Sequence, residues 1–322
     1  MTACLRAISL GSAVPRLDFE TTVHSAFRSA ANLQLAGETA LLTLLLSGQG
    51  DLPQGIRVEA PQRFTFEALA IGTAGSCRDG VLTLGRSVVV DLRHGKNWEC
   101  DLSSLDADMT NPAAGAAWRC VWHALSERRE RSAYALLDGG LPDEARGHQT
   151  IAAEKMRQAV RRMLDATGKL DAAGMQAAGS LVGLGPGLTP VGDDLLTGYL
   201  AGLWCATRGK VERRAFVSAV GDLVIRFANR TNDIGRTYLC HAARGQVASL
   251  LADLAAVICK GGKRGRVLAR AEAAMDVGHT SGMAAVHGLL LGLSAWDGQH
   301  LLAWDAPTQN LPWSRTNPGS GL

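Results

Sequence analysis

The chain has 322 residues, 47% of them hydrophobic and 20% charged, with 33 Lys+Arg against 30 Asp+Glu and a net charge of +3. Such a length supports a sizeable core in one or two domains, and the even charge balance argues against a nucleic-acid or membrane partner while leaving a small anionic ligand open. The seven cysteines stand singly and read as reduced thiols. The start "MTACLRAISLGSAVPRL" lacks the apolar core of a signal peptide, so a cytoplasmic protein is expected.

In chain order, residues 1–110 read as a β-rich or mixed domain, because "RFTFEALAIG", "GVLTLG" and "SVVVDLR" set β-branched and aromatic residues between glycine and aspartate turns. One helix is expected ahead of them, within "AFRSAANLQLAGETALLTLLLSG". An Asn-Pro turn puts the domain boundary near Met109 to Pro112. Residues 111–300 carry apolar residues at three- and four-residue spacings in one stretch after another, which predicts a larger all-α domain. Its longest apolar stretches are broken by glycine and fall short of the roughly 20 residues of a membrane span. The remainder, 301–322, is rich in Pro, Asn, Ser and Gly and reads as a flexible tail. The fold class expected is therefore α+β.

The stretch "GLGPGLTPVGDDLLTGYLAGLW" (183–204) runs a glycine-rich loop into an apolar helix. Thr189 is suited to the N-cap and Pro190 to the first helical position, which brings free backbone N–H groups and the positive end of the helix dipole to the loop. No Lys-Ser/Thr pair and no GxGxxG spacing is present, so the loop is not a standard nucleotide site. A small oxyanion held by Gly185, Gly187, Thr189 and Gly192 is the functional reading. Asp193 and Asp194 follow in the first turn, either as complements to the dipole or as catalytic carboxylates. Asp194, Gly198 and Gly202 recur at i, i+4 and i+8, which sets Asp194 at the head of a helix–helix seam. A carboxylate there can bind a metal such as Mg²⁺, orient an amide or act as a general base.

A second corner, "GHTSGMAAVHGLLLGL", spaces Gly282, Gly288 and Gly292 as Gly192, Gly198 and Gly202 are spaced. If the two stripes pack on each other, Thr189, Thr280, Ser281 and the backbone at Gly282 converge on one anion; the other reading is close packing alone. His287 occupies the place of Thr197 and reads as a packed residue. Between the corners, "FANRTNDIGRTYLCHAARGQ" offers Arg230 and Asn232 as substrate contacts at an apparent helix break. The basic run "KGGKRGR" reads as an exposed loop.

The glycine-aspartate stretch is similar to the signature of a bacterial family associated with a subunit of oxamate carbamoyltransferase, an enzyme of anaerobic allantoin breakdown and so of purine catabolism. "FRSAANLQLAGETALLTLLLSGQGDLPQGIRV", "TNDIGRTYLCHAARGQ" and the second corner extend the resemblance from about Phe27 to Leu293. It implies a multi-subunit assembly, with other carbamoyltransferase subunits as partners, that interconverts oxalurate plus phosphate with oxamate plus carbamoyl phosphate. The family leads one to expect an acidic residue after the second corner, where this chain has Met283, Ala284 and Ala285. Three readings stand: a transferase subunit using Asp193 or Asp194, a non-catalytic assembly subunit, and a Mg-dependent phosphotransferase or hydrolase.

Overall fold

The computed structural model describes residues 2–130, 146–278 and 280–296; the tail expected at 301–322 lies outside them. The first part holds nine strands: β1 (Ala3–Gly11), β2 (Phe19–Ala26), β3 (Ala30–Leu35), β4 (Leu41–Leu46), β5 (Gly55–Glu59), β6 (Ala74–Arg78), β7 (Val81–Leu84), β8 (Val88–Asp91) and β9 (Lys96–Trp98). In the order β1-β5-β4-β3-β2-β6-β7-β8, with β8 returning to β1, eight of them close into a barrel, and β9 pairs with the far end of β1. Pairs β1/β8 and β4/β5 are parallel and the others in the ring antiparallel. Closure leaves no free edge in the eight-stranded ring, and Val23, Leu33, Leu44, Ile56, Leu82 and Val90 fill the interior.

The helix expected within "AFRSAANLQLAGETALLTLLLSG" is instead strand, spanning the end of β2, all of β3 and all of β4. The cause is burial on both faces of β4. Leu42 and Leu44 belong to the barrel core, while Leu41 and Leu45 are buried outside it. A helix, α5 (Asp233–Ala242), packs on β4, where the Leu41 N–H donates to the Thr237 hydroxyl at 3.3 Å. A strand covered on both sides loses its polar alternation, and its run of leucines then imitates a helix.

The second part is helical, as expected: α1 (Pro112–Glu130), α2 (Arg146–Gly168), α3 (Val191–Cys205), α4 (Val211–Phe227), α5, α6 (Ser249–Cys259), α7 (Arg264–Met275) and α8 (Ser281–Ser294). Among the described residues no helix is long and apolar enough to cross a membrane. The parallel pair α3 and α8 forms the centre and, among the described residues, is packed more extensively than any other two elements. Glycine lets their backbones touch: a Cβ at Gly198 would lie 2.8 Å from the Leu289 nitrogen, and one at Gly288 2.7 Å from the Tyr199 nitrogen. Parallel packing brings both N-termini to the same end. The barrel meets that end through reciprocal bonds, from the Asp51 N–H to the Ser249 hydroxyl and from the Ser249 N–H to the Asp51 carbonyl, both 2.9 Å. Leu52 is thereby carried to the mouth of the α3/α8 pair.

Candidate functional site

The two glycine stripes do pack on each other, and the two corners meet. The hydroxyls of Thr189 and Ser281, one from each corner, are 2.7 Å apart, and beside them opens a cavity of about 220 Å³. Thr189, Asp194, Thr197, Tyr238, Ser281 and Gly282 supply its polar groups, while Leu52, Ala248, Leu250, Leu251, Val277 and Ala285 are prominent among its apolar lining. Among the described residues on this wall none is basic.

Neighbouring aspartates separate into two environments. Asp193 is 1% exposed and faces away from the cavity, accepting the Gly183 N–H at Oδ1 (2.7 Å) and the Thr231 hydroxyl at Oδ2. It ties the glycine loop to the start of α5. Burial raises its pKa, opposed by those two hydrogen bonds. Removing one buried partner of a carboxylate costs on the order of 1–3 kcal/mol, so Thr231→Val is expected to lower unfolding stability in urea by about that amount.

Asp194 lies on the cavity side, and its Oδ2 is buried without a hydrogen-bond partner. Burial pushes its pKa up to about 7, against the opposing pull of the Ser281 and Thr189 hydroxyls and with a smaller push from Asp193. One turn further along α3, the Thr197 hydroxyl is likewise buried and unpartnered. Tyr238, from α5, faces the same space, and burial together with the Asp194 charge raises its phenol to about 12. A protonatable carboxyl, two paired hydroxyls and two unengaged polar atoms thus surround a space with room for a small molecule. Such a group can exchange a proton with a bound amide near neutral pH.

Several expected site residues do other work. The N-cap of α3 is Pro190, in extended conformation, and Thr189 stands one residue outside the helix, which frees its hydroxyl to cross to Ser281. The first N–H groups of α3 are taken: Gly192 donates to the Leu184 carbonyl at 2.9 Å, and Asp193 and Asp194 donate to that of Pro190. Gly192 and Gly282 allow close backbone approach, to Leu181 and to Ala274 and Met275 respectively. Gly185 and Gly187 lie exposed on the loop with φ of 108° and 101°, a conformation that favours glycine. Thr280 precedes α8 without making a cap bond. Asn232 caps α5, its side chain accepting the Ile234 and Gly235 N–H groups. Arg230 is exposed, its guanidinium stacked 4.4 Å from the centre of the Phe227 ring. His287 is buried edge-on to Trp122, and burial holds its pKa well down.

Thr197, Tyr238 and the apolar wall were not singled out from sequence. Thr197 alone carried a signal, standing three residues beyond Asp194 on the same helix. For a metal, Asp194 is the carboxylate that stays available once Asp193 is engaged, and among the described residues no three His, Cys, Asp or Glu gather as a metal-binding group.

Two family models match the chain: one described as oxamate carbamoyltransferase subunit AllH over residues 181–293, and one as the AllH family N-terminal domain over residues 6–97. The first takes in the glycine loop, α3, α5 and all of α8 but its last residue, and the second takes in the whole barrel apart from the first residues of β1. No curated protein matches, and no solved structure matches.

Proposed function

We propose that this chain, which belongs to the AllH family of oxamate carbamoyltransferase subunits, supplies the pocket in which a small carboxylate amide such as oxamate is positioned for carbamoyl transfer. The supporting observation is the Asp194 carboxyl, with one buried oxygen unpartnered on the wall of a cavity at two paired helix N-termini. In the direction of oxalurate formation the amide nitrogen attacks the carbamoyl carbon of carbamoyl phosphate. The new N–C bond forms, the C–O bond to phosphate breaks, phosphate leaves, and the nitrogen gives its proton to Asp194. In reverse, phosphate attacks the ureido carbon and Asp194 returns the proton to nitrogen. A carboxyl with a pKa of about 7 populates both forms needed for this exchange. At the anionic end of the substrate the Thr189–Ser281 pair keeps one hydroxyl proton to donate, and the dipoles of α3 and α8 favour the negative charge.

Calorimetry of the full chain with oxamate, oxalurate and carbamoyl phosphate, with and without Mg²⁺, tests this reading. Binding by the intact chain that weakens about tenfold or more in Asp194→Ala is expected, the scale of a lost charge-assisted hydrogen bond. Equal binding by the variant overturns the assignment of Asp194. No binding by the intact chain favours a subunit that acts in assembly.

A further inference from the structure

The lining of the cavity is mostly hydrocarbon. Thr189, Asp194, Thr197, Tyr238 and Ser281 supply its polar groups, and Leu52, Leu250, Leu251, Val277 and Ala285 make up much of the rest. At ~30 Å³ per water the volume of about 220 Å³ has room for about seven. Waters need two to four polar partners each, and the hydrocarbon side chains offer none. Oxamate does not suit those side chains either, since every carbon in it bears oxygen or nitrogen, and pressing those atoms on leucine removes water without replacing its hydrogen bonds. The Thr197 hydroxyl, in a residue only 8% exposed and without a partner, gives independent evidence that a ligand completes the polar part of the lining.

Resting on the function proposed above, we infer that the substrate class of this site is a ureido or amide carboxylic acid with a branched aliphatic side chain. Its polar end meets Asp194, Thr197 and the Thr189–Ser281 pair, and its hydrocarbon lies against Leu52, Leu250 and Leu251. Leu52 comes from the barrel and the others from the helical part, so the side-chain subsite is built by both.

Calorimetry of the full chain with oxamate, N-carbamoylglycine and N-carbamoylleucine reads this directly. The leucine derivative is expected to bind at least about tenfold more tightly than the glycine derivative, because each buried methylene favours binding. Ala285→Leu, which fills space beside the apolar residues, is expected to remove that gain, so that the two derivatives bind within about twofold of each other. If this variant fails to melt cooperatively, Leu250→Gln at the partly exposed wall is expected to show the same selective loss. Equal affinity for the two derivatives, or tighter binding of oxamate than of either, overturns the inference and leaves the transfer site standing. Undiminished binding of all three by Asp194→Ala overturns the site itself, and no binding of any by the intact chain overturns both.

Discussion

Asp194→Asn is expected to lower transfer by about 10²- to 10⁴-fold, the usual contribution of a general acid or base, while making the chain more stable at pH 8. The two effects share one cause. Asp194 has its pKa raised from the ordinary 3.8 to about 7, chiefly by burial. A carboxyl raised in this way holds its proton more tightly folded than unfolded. Its contribution to stability is complete below about pH 4 and is lost as pH rises towards 7. Above pH 7 the folded protein carries a buried carboxylate that the unfolded chain would solvate freely. A rise of roughly three units, at ~1.4 kcal/mol each, sets a ceiling of ~4 kcal/mol on that cost. Asparagine has the same shape without the charge, so the variant gains stability at pH 8 and about none at pH 4, where aspartate is protonated as well. Urea unfolding at the two pH values measures the difference. An equal effect at both, or none at pH 8, contradicts the buried carboxyl. Activity of the unsubstituted complex in the oxalurate-forming direction is expected to fall as pH drops below about 7, where Asp194 already holds its proton, and a pH profile of the transfer rate checks this.

The separation of Asp193 from Asp194 explains why sequence alone left two candidates for one role. Successive residues on an α-helix point about 100° apart, so one carboxylate turns towards Gly183 and Thr231 while the next turns to the cavity. Spacing located the pair; the neighbours that distinguish them come from elsewhere in the chain. The α3/α8 seam was legible for the opposite reason. Its cause, a repeat of small residues on one face, is written along each helix and needs no distant partner. The helical half was legible in the same way, from one-sided apolar periodicity, whereas β4 was not because α5 and the barrel interior cover both its faces. Leu52, Tyr238 and Leu250 reach the cavity on three separate elements or loops brought together by tertiary contacts, and nothing local marks them as neighbours.

Gly198→Ala is expected to destabilise the protein by ~4 kcal/mol or more and to abolish ligand binding in whatever fraction still folds. Two effects oppose each other at this position. Alanine is the better helix former by ~1 kcal/mol, and at a solvent-facing position the substitution would stabilise. At Gly198 the added methyl would stand 2.8 Å from the Leu289 nitrogen and from the Ala285 carbonyl carbon. Both are backbone atoms, so no rotamer change relieves the overlap, and the helices must separate along a seam buried on both sides. Steric cost therefore outweighs propensity. Separation also draws Thr189 and Asp194 away from Ser281, which dissolves the polar part of the cavity lining even where the chain remains folded. Gly187→Ala is the control: that position has open space around it and a φ of 101°, so only backbone strain of roughly 1–3 kcal/mol is expected. Denaturant unfolding of both variants, with calorimetry of any folded Gly198→Ala, separates the two costs. A Gly198→Ala chain that unfolds within about 1 kcal/mol of the unsubstituted protein and still binds ligand would mean that the α3/α8 contact does not set the site.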